Sequence, residues 1–295
     1  MGSGTSSLSS YEDYSRSIGI SFDCTTRRRN KQEFYAKDID VSLNPKKFRI
    51  RECCNSEEHP NTIPVILALD VTGSMGEACN ETAKALGSIV INLYEKFKDI
   101  EFCIMGIGDL AYDRAPIQMS QFESDVRIAE ALDKLYIEKG GGSNNYESYT
   151  AAWFMGLYGT KLDCYDKQGR KGIIITMGDE MLNPYLPMNG INLFTQLHTQ
   201  DSIETKDLYQ KASQKFDIFH IAVDDIQTMY DYHKKDIEQS FGHLLGSRLK
   251  VSTIQELAKT IENCIKEALE GTPIDTISTD SLITASRNEN GDITW

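Results

Sequence analysis

The sequence predicts an α/β protein with a mainly parallel central sheet, helices on both faces and one short antiparallel edge strand. Three observations carry this. Short apolar runs at 65–69, 102–107, 172–176 and 217–223 lack the alternation of a half-wetted strand, as strands covered on both faces do. Stretches with apolar residues every three or four positions separate them. The chain has 295 residues, 40% of them hydrophobic, enough for one large domain of this class or two small ones.

The elements follow in order. Residues 1–19 are rich in Ser, Gly and Tyr and are expected to be mobile. Residues 20–60 mix strand-like pieces (18–22 and 48–51) with polar loops, as an extension packed on the main domain would. The run 65–69 is the first buried strand. Ala78, Thr82, Ala85, Leu86, Ile89, Val90, Leu93 and Phe97 then make one stripe of a helix over 76–97. The second strand, 102–107, closes at Gly108-Asp109. Residues 116–122 read as an edge strand, which Pro116 suits. Ser124 is placed to cap a helix reaching about 136, with Ile128, Ala131, Leu132 and Leu135 inward. A loop at 140–145 leads to a helix over 146–157. The third strand, 172–176, ends in Met177-Gly178-Asp179-Glu180. Helices over 191–198 and 204–215 precede the fourth strand, 217–223. A helix over 228–240, a short strand at 248–251 and a helix over 253–269 complete the pattern. The divisions expected are an N-terminal extension, partly disordered, at 1–62, a main domain at 63–270 and a polar tail at 271–295, whose Trp295 could dock.

Composition excludes several classes. Net charge is −13: residues 1–64 sum to +1 and the remainder to −14. So acidic a body repels phosphate backbones, which argues against nucleic acid as a partner. Arg27, Arg28, Arg29 and Lys31 form one basic spot with no aromatic platform, read as a solvated loop. No apolar run approaches the roughly 18 residues of a membrane span, and the N-terminus lacks the apolar core of a secretory signal. Met1-Gly2-Ser3-Gly4-Thr5-Ser6 fits the loose myristoylation pattern, which is short enough to arise by chance. The seven cysteines are scattered without a Cys-x-x-Cys, and Cys79, Cys103 and Cys264 sit in apolar patterns. A reducing, cytoplasmic setting is the expectation. Cys53-Cys54 reads as two unrelated thiols, since no second pair completes a zinc site.

The chemistry concentrates where strands end. Asp70-Val71-Thr72-Gly73-Ser74-Met75-Gly76 follows the first strand with one carboxylate and two hydroxyls at spacings of two and four. These are hard oxygen ligands, and the carboxyl end of a strand is where open α/β sheets place their sites. Two further loops fall on the same edge: Gly141-Gly142-Ser143-Asn144 followed by Glu147, and Gly178-Asp179-Glu180. Helix capping by Ser74, with Asp70 a plain strand-end acid, is the bland alternative. Asp109 and Asp113 read by default as turn acids. Glu180 reads equally as rim acid or cap. Tyr146 and Tyr149 read as helix-packing aromatics, and His220 as a satisfied core residue.

Asp-x-Thr-x-Ser with its Gly-Met-Gly turn resembles the first metal-binding motif of von Willebrand factor A (vWA) domains. Gly141-Gly142-Ser143 resembles their second loop, with Ser for Thr. Met177-Gly178-Asp179 resembles their third, with Asp and Gly reversed relative to the commoner order. The resemblance covers roughly 63–268 and implies a Rossmann-like vWA fold with a metal-ion-dependent adhesion site (MIDAS). It implies Mg²⁺, or Mn²⁺, held by Asp70, Thr72, Ser74 and Asp179. Ser143, Asn144 or Glu147 would complete the set. Few direct negative ligands would leave the cation electrophilic toward a partner's carboxylate. The second and third loops look like a bacterial intracellular branch of the family, which implies a scaffold or regulator. Its partner would be a protein such as an AAA+ ATPase, a kinase or a phosphatase.

Two rival readings remain. A haloacid-dehalogenase-type phosphotransferase would use Asp70 as nucleophile. It needs a second acid two residues on, where this chain has Thr72, and another four residues past the late Gly-Asp, where it has Asn183. The other is a structural subunit with a vestigial metal site. P-loop, dinucleotide-binding and serine-hydrolase motifs are absent, and the five histidines show no zinc-protease pairing.

Overall fold

In the computed structural model, residues 38–73, 75, 89, 93, 96–97, 99–138, 146–225, 228–270, 286–287 and 293–294 are described. The central sheet is built from β2 (Ile63–Asp70), β3 (Ile100–Ile107), β4 (Ile117–Met119), β7 (Gly172–Gly178), β11 (Phe216–Val223) and β12 (Leu249–Ser252). Two-residue or three-residue strands complete the numbering: β1 (Arg51–Cys53), β5 (Tyr146–Glu147), β6 (Thr160–Leu162), β8 (Met181–Leu182), β9 (Tyr185–Leu186), β10 (Ile203–Glu204), β13 (Ser286–Arg287) and β14 (Ile293–Thr294), the last two pairing antiparallel in the tail. The sheet order is β12-β11-β7-β2-β3-β4. Every pairing in it is parallel except β3 with β4, so the antiparallel strand is at the edge.

Side-chain alternation explains the strands. In β2, Val65, Leu67 and Leu69 face one apolar cluster, while Ile66 and Ala68 face another. Both faces are therefore roofed. Helices α1 (Arg127–Asp133) and α7 (Leu257–Glu270) cover the first face through Ile128, Leu132, Leu257, Ile261 and Ile265. Helices α2 (Thr150–Gly159), α5 (Thr205–Lys215) and α6 (Tyr230–Leu245) cover the second through Trp153, Phe154, Leu208, Ile237 and Phe241. Two shorter helices, α3 (Asp163–Asp166) and α4 (Met188–Phe194), lie between. The segment before β2 also packs: Leu43 is buried in the first cluster and Cys53 in the second. Strand β1 runs parallel to β6.

Several elements differ from expectation. The expected helix over 76–97 lies mostly outside the described residues, though Ile89 and Leu93 are helical and buried. The strand-like piece at 18–22, the basic spot and Cys79 also lie outside them. Ser124 does not cap α1, which starts three residues later without a side-chain cap. Its hydroxyl instead lies 3.1 Å from His59 Nε2, a partner sixty-five residues away. Helix α2 begins at Thr150 rather than 146, because Tyr146 and Glu147 pair with Met181 and Leu182 as β5 and β8. Helix α4 starts and ends earlier than the expected 191–198. Helix α6 runs on to Leu245, and a 3-10 turn at Ile254–Glu256 precedes α7.

The topology fixes where a site can form. From β2 the chain moves outward to β3 and β4, then returns to the other side of β2 to lay down β7, β11 and β12. The direction reverses between β2 and β7, so the loops leaving these two strands diverge and open a crevice. Asp70 closes β2 and Asp179 follows β7.

Candidate functional site

Asp70 is fully buried, and both its oxygens are engaged. Oδ1 accepts from the Thr72 backbone N–H at 2.9 Å and from the Thr72 hydroxyl at 2.6 Å. Oδ2 accepts from the Tyr149 hydroxyl at 2.8 Å. The two-residue spacing in Asp-x-Thr is what lets a loop fold back on its own carboxylate. Asp179 is equally buried, and its Oδ2 accepts from the Met229 N–H at 2.7 Å. Met229 is the residue before α6, so this carboxylate sits at a helix N-terminus, where the backbone N–H groups favour negative charge.

Other loops are stitched to these. Ser148 Oγ accepts from the Leu110 N–H at 3.0 Å, joining the turn after β3 to the segment before α2. Asn183 Nδ2 donates to Thr150 Oγ1 at 2.6 Å and to the Tyr185 carbonyl at 2.7 Å. The turn after β3 closes on itself: Asp113 Oδ2 accepts from the Asp109 N–H at 2.7 Å, and Asp109 Oδ1 from the Ala111 N–H at 2.8 Å.

The result is an unusual density of buried acid. Asp70, Asp109, Asp113, Glu147, Asp179 and Glu180 are all at most 9% exposed. Burial, and then the charge of Asp179, push the Asp70 carboxyl well above its ordinary range. Glu147 is pushed up by burial first, then by Asp70, Asp113, Glu180 and Asp109. Burial raises Asp113 to about 6. Among the described residues no lysine or arginine pairs with Asp70 or Glu147. Glu147 Oε2 and Asp109 Oδ2 are buried with no hydrogen-bond partner among the described residues.

The donor set suits a hard divalent cation. Carboxylate and hydroxyl oxygens are the ligands such ions take, and positive charge at this crevice would relieve the mutual repulsion. The described residues contain no group of three His, Cys, Asp or Glu side chains placed to hold a metal by themselves. Hydroxyl ligands would therefore have to share the task. Thr72 is in position beside Asp70, whereas Ser74, Ser143 and Asn144 lie outside the described residues.

Sequence reasoning missed Tyr149, read there as a packing aromatic. It is wholly buried, and its phenol links the first loop to the third by donating to Asp70 and accepting from the Glu180 N–H at 3.4 Å. The ring is held by His220, edge-on at 4.9 Å between centroids, and by Phe241 at 5.6 Å. Gly178 makes room for it. A Cβ at that position would overlap the Tyr149 phenol, so a side chain there would displace the ring from Asp70. A glycine just before Asp179 thus has a steric reason. His220 is a core residue as read, stacked on Phe241 at 3.7 Å with Nδ1 2.8 Å from Thr176 Oγ1, but it is only half satisfied, since Nε2 has no hydrogen-bond partner among the described residues.

No protein-family model matches the chain, and a search of characterised proteins by sequence finds no match. Comparison with solved structures finds distant similarities. One is the open conformation of the pilus adhesin SpaC from Lactobacillus rhamnosus GG, at 12% identity and a TM-score of 0.46, over 74% of this chain and 31% of that one. Another is the vWF domain of the type V pili tip protein Mfa5 from Porphyromonas gingivalis, at 12% identity and a TM-score of 0.46, over 71% and 96%. A third is proximal thread matrix protein 1 from the mussel byssus, at 11% identity and a TM-score of 0.45, over 69% and 47%. This chain spans about a third of the SpaC length. At such similarity these structures say nothing of this chain's ligand or activity.

Proposed function

We propose that this chain is a vWA-like module that binds a protein partner through a divalent cation. The observation that carries the reading is the buried acid at the reversal between β2 and β7. Asp70 and Asp179 close the two strands, and Glu147 presents an unpartnered buried oxygen beside them. Asp70, Thr72, Ser74 and Asp179 would hold Mg²⁺ or Mn²⁺, with Ser143 or Glu147 as further ligand. When bound, the cation supplies an open coordination position for a carboxylate from the partner. The residues of the chain do the rest. Thr72 fixes the Asp70 carboxylate, the α6 N-terminus fixes Asp179, and Tyr149 and Asn183 tie the loops together.

The setting we propose is a cytoplasmic scaffold or regulator of bacterial type, with an AAA+ ATPase, kinase or phosphatase as partner class. No described helix is long and apolar enough to cross a membrane. The phosphotransferase reading is disfavoured because the chain has Thr72 where that chemistry needs a second acid two residues after Asp70, and Asn183 where it needs another four residues past Asp179. Affinity capture of partners with and without chelator tests the proposal. Asp70→Ala should remove the chelator-sensitive partner without changing the melting temperature by more than a few degrees. A partner retained at full strength by the variant and in chelator would mean a structural subunit with a vestigial site.

A further inference from the structure

We infer that Tyr149 is a positioning residue that holds the Asp70 carboxylate back from the bound cation, leaving the cation's charge for the partner. The inference rests on the cation-binding reading above. Four features of the structure support it. The phenol donates to Asp70 Oδ2 at 2.8 Å, while Thr72 donates twice to Oδ1. The carboxylate is therefore clamped at both oxygens by neutral donors from two different loops. Tyr149 is wholly buried and its ring is held by His220 and Phe241. Gly178 leaves the space the phenol needs, and any side chain there would displace it. Finally, the phenol accepts from the Glu180 N–H at 3.4 Å, which ties its position to the loop carrying Asp179.

The physical consequence concerns charge. Each carboxylate oxygen has two lone pairs, so a clamped Asp70 still accepts from a water on the cation. What the Tyr149 and Thr72 bonds fix is the carboxylate's position, and it cannot move toward the cation without stretching one of them. A cation held by hydroxyls and waters, with its nearest acid one water away, keeps more of its Lewis acidity than one bound directly by that acid. Removing the phenol oxygen frees Oδ2 to move inward.

The test uses Mn²⁺ as probe on the full chain. Its affinity is measured by calorimetry and its bound waters by water-proton relaxation, for wild type and Tyr149→Phe. The variant should bind Mn²⁺ about tenfold more tightly, the size of one added charge-assisted contact, and carry about one water fewer. A residue that merely supports the fold would give the opposite sign, weaker binding with unchanged hydration. That result, or unchanged affinity, overturns the inference while leaving the cation site standing. Should Tyr149→Phe fail to fold, a wild-type crystal soaked in Mn²⁺ decides. Asp70 still bonded to Tyr149, with a water between it and the metal, supports the inference; direct Asp70 ligation with the Tyr149 bond broken overturns it. Wild type that binds no Mn²⁺ overturns the cation reading itself, and this inference with it.

Discussion

Acid should weaken this fold through one histidine. His220 lies in the middle of the sheet, wholly buried, stacked on Phe241 and edge-on to Tyr149. Burial lowers its pKa from 6.5 to about 3, because taking the imidazole out of water disfavours its charged form. Its Nε2 has no hydrogen-bond partner among the described residues. The folded pKa is below the unfolded one. The unfolded chain therefore takes up the proton first, and stability present above about pH 6.5 is lost as pH falls toward 3. At pH 5 the loss is about 1.5 pKa units, or roughly 2 kcal/mol. The assay is urea unfolding at pH 7.5 and 5.0 for wild type and His220→Gln. Other groups titrate in both proteins, so the quantity that isolates His220 is the difference between their pH-dependent losses. Wild type should lose about 2 kcal/mol more than the variant over this interval. Equal losses would refute the argument that a neutral, desolvated His220 stands behind Tyr149.

Two further predictions concern a buried carboxyl and a close contact. Glu101, 2% exposed beside Cys53, has a pKa raised by burial to about 7 from 4.5. Here the folded pKa is above the unfolded one, so stability is full below about pH 4.5 and is lost as pH rises through 7, by on the order of 3 kcal/mol. Glu101→Gln should flatten that part of the pH–stability curve; a variant curve parallel to wild type would contradict it. Gly178→Ala should cost about 1–3 kcal/mol by driving its methyl into the Tyr149 phenol. Tyr149→Phe in the same chain should recover part of that loss, and strict additivity in thermal unfolding would show that the two side chains do not meet.

The fold was legible where burial on both faces left a uniform signal. The apolar runs at 65–69, 102–107, 172–176 and 217–223 each lie within a central strand, and Pro116 correctly placed the antiparallel strand at the edge. Ends were less legible because partners distant in the chain decide them. Ser124 was drawn from its capping role by His59, and Glu147 from a helix by the strand at Met181–Leu182. Asp70, Thr72 and Asp179 stand out in the sequence through strand ends and short spacings, and the structure buries all three. Tyr149 does not stand out, since its bond to Asp70 spans seventy-nine residues. The overlap that a Cβ at Gly178 would make with the Tyr149 phenol is likewise a contact between distant parts of the chain.

The most direct test of the central claim is calorimetry of Mg²⁺ and Mn²⁺ binding to the wild-type chain and to Asp70→Ala, with phosphatase activity assayed on the same samples. The account predicts divalent binding by wild type, its loss in the variant and no turnover in either. Turnover that depends on Asp70 would contradict it in favour of an enzyme, and cation binding that survives Asp70→Ala unchanged would place the metal somewhere other than this crevice.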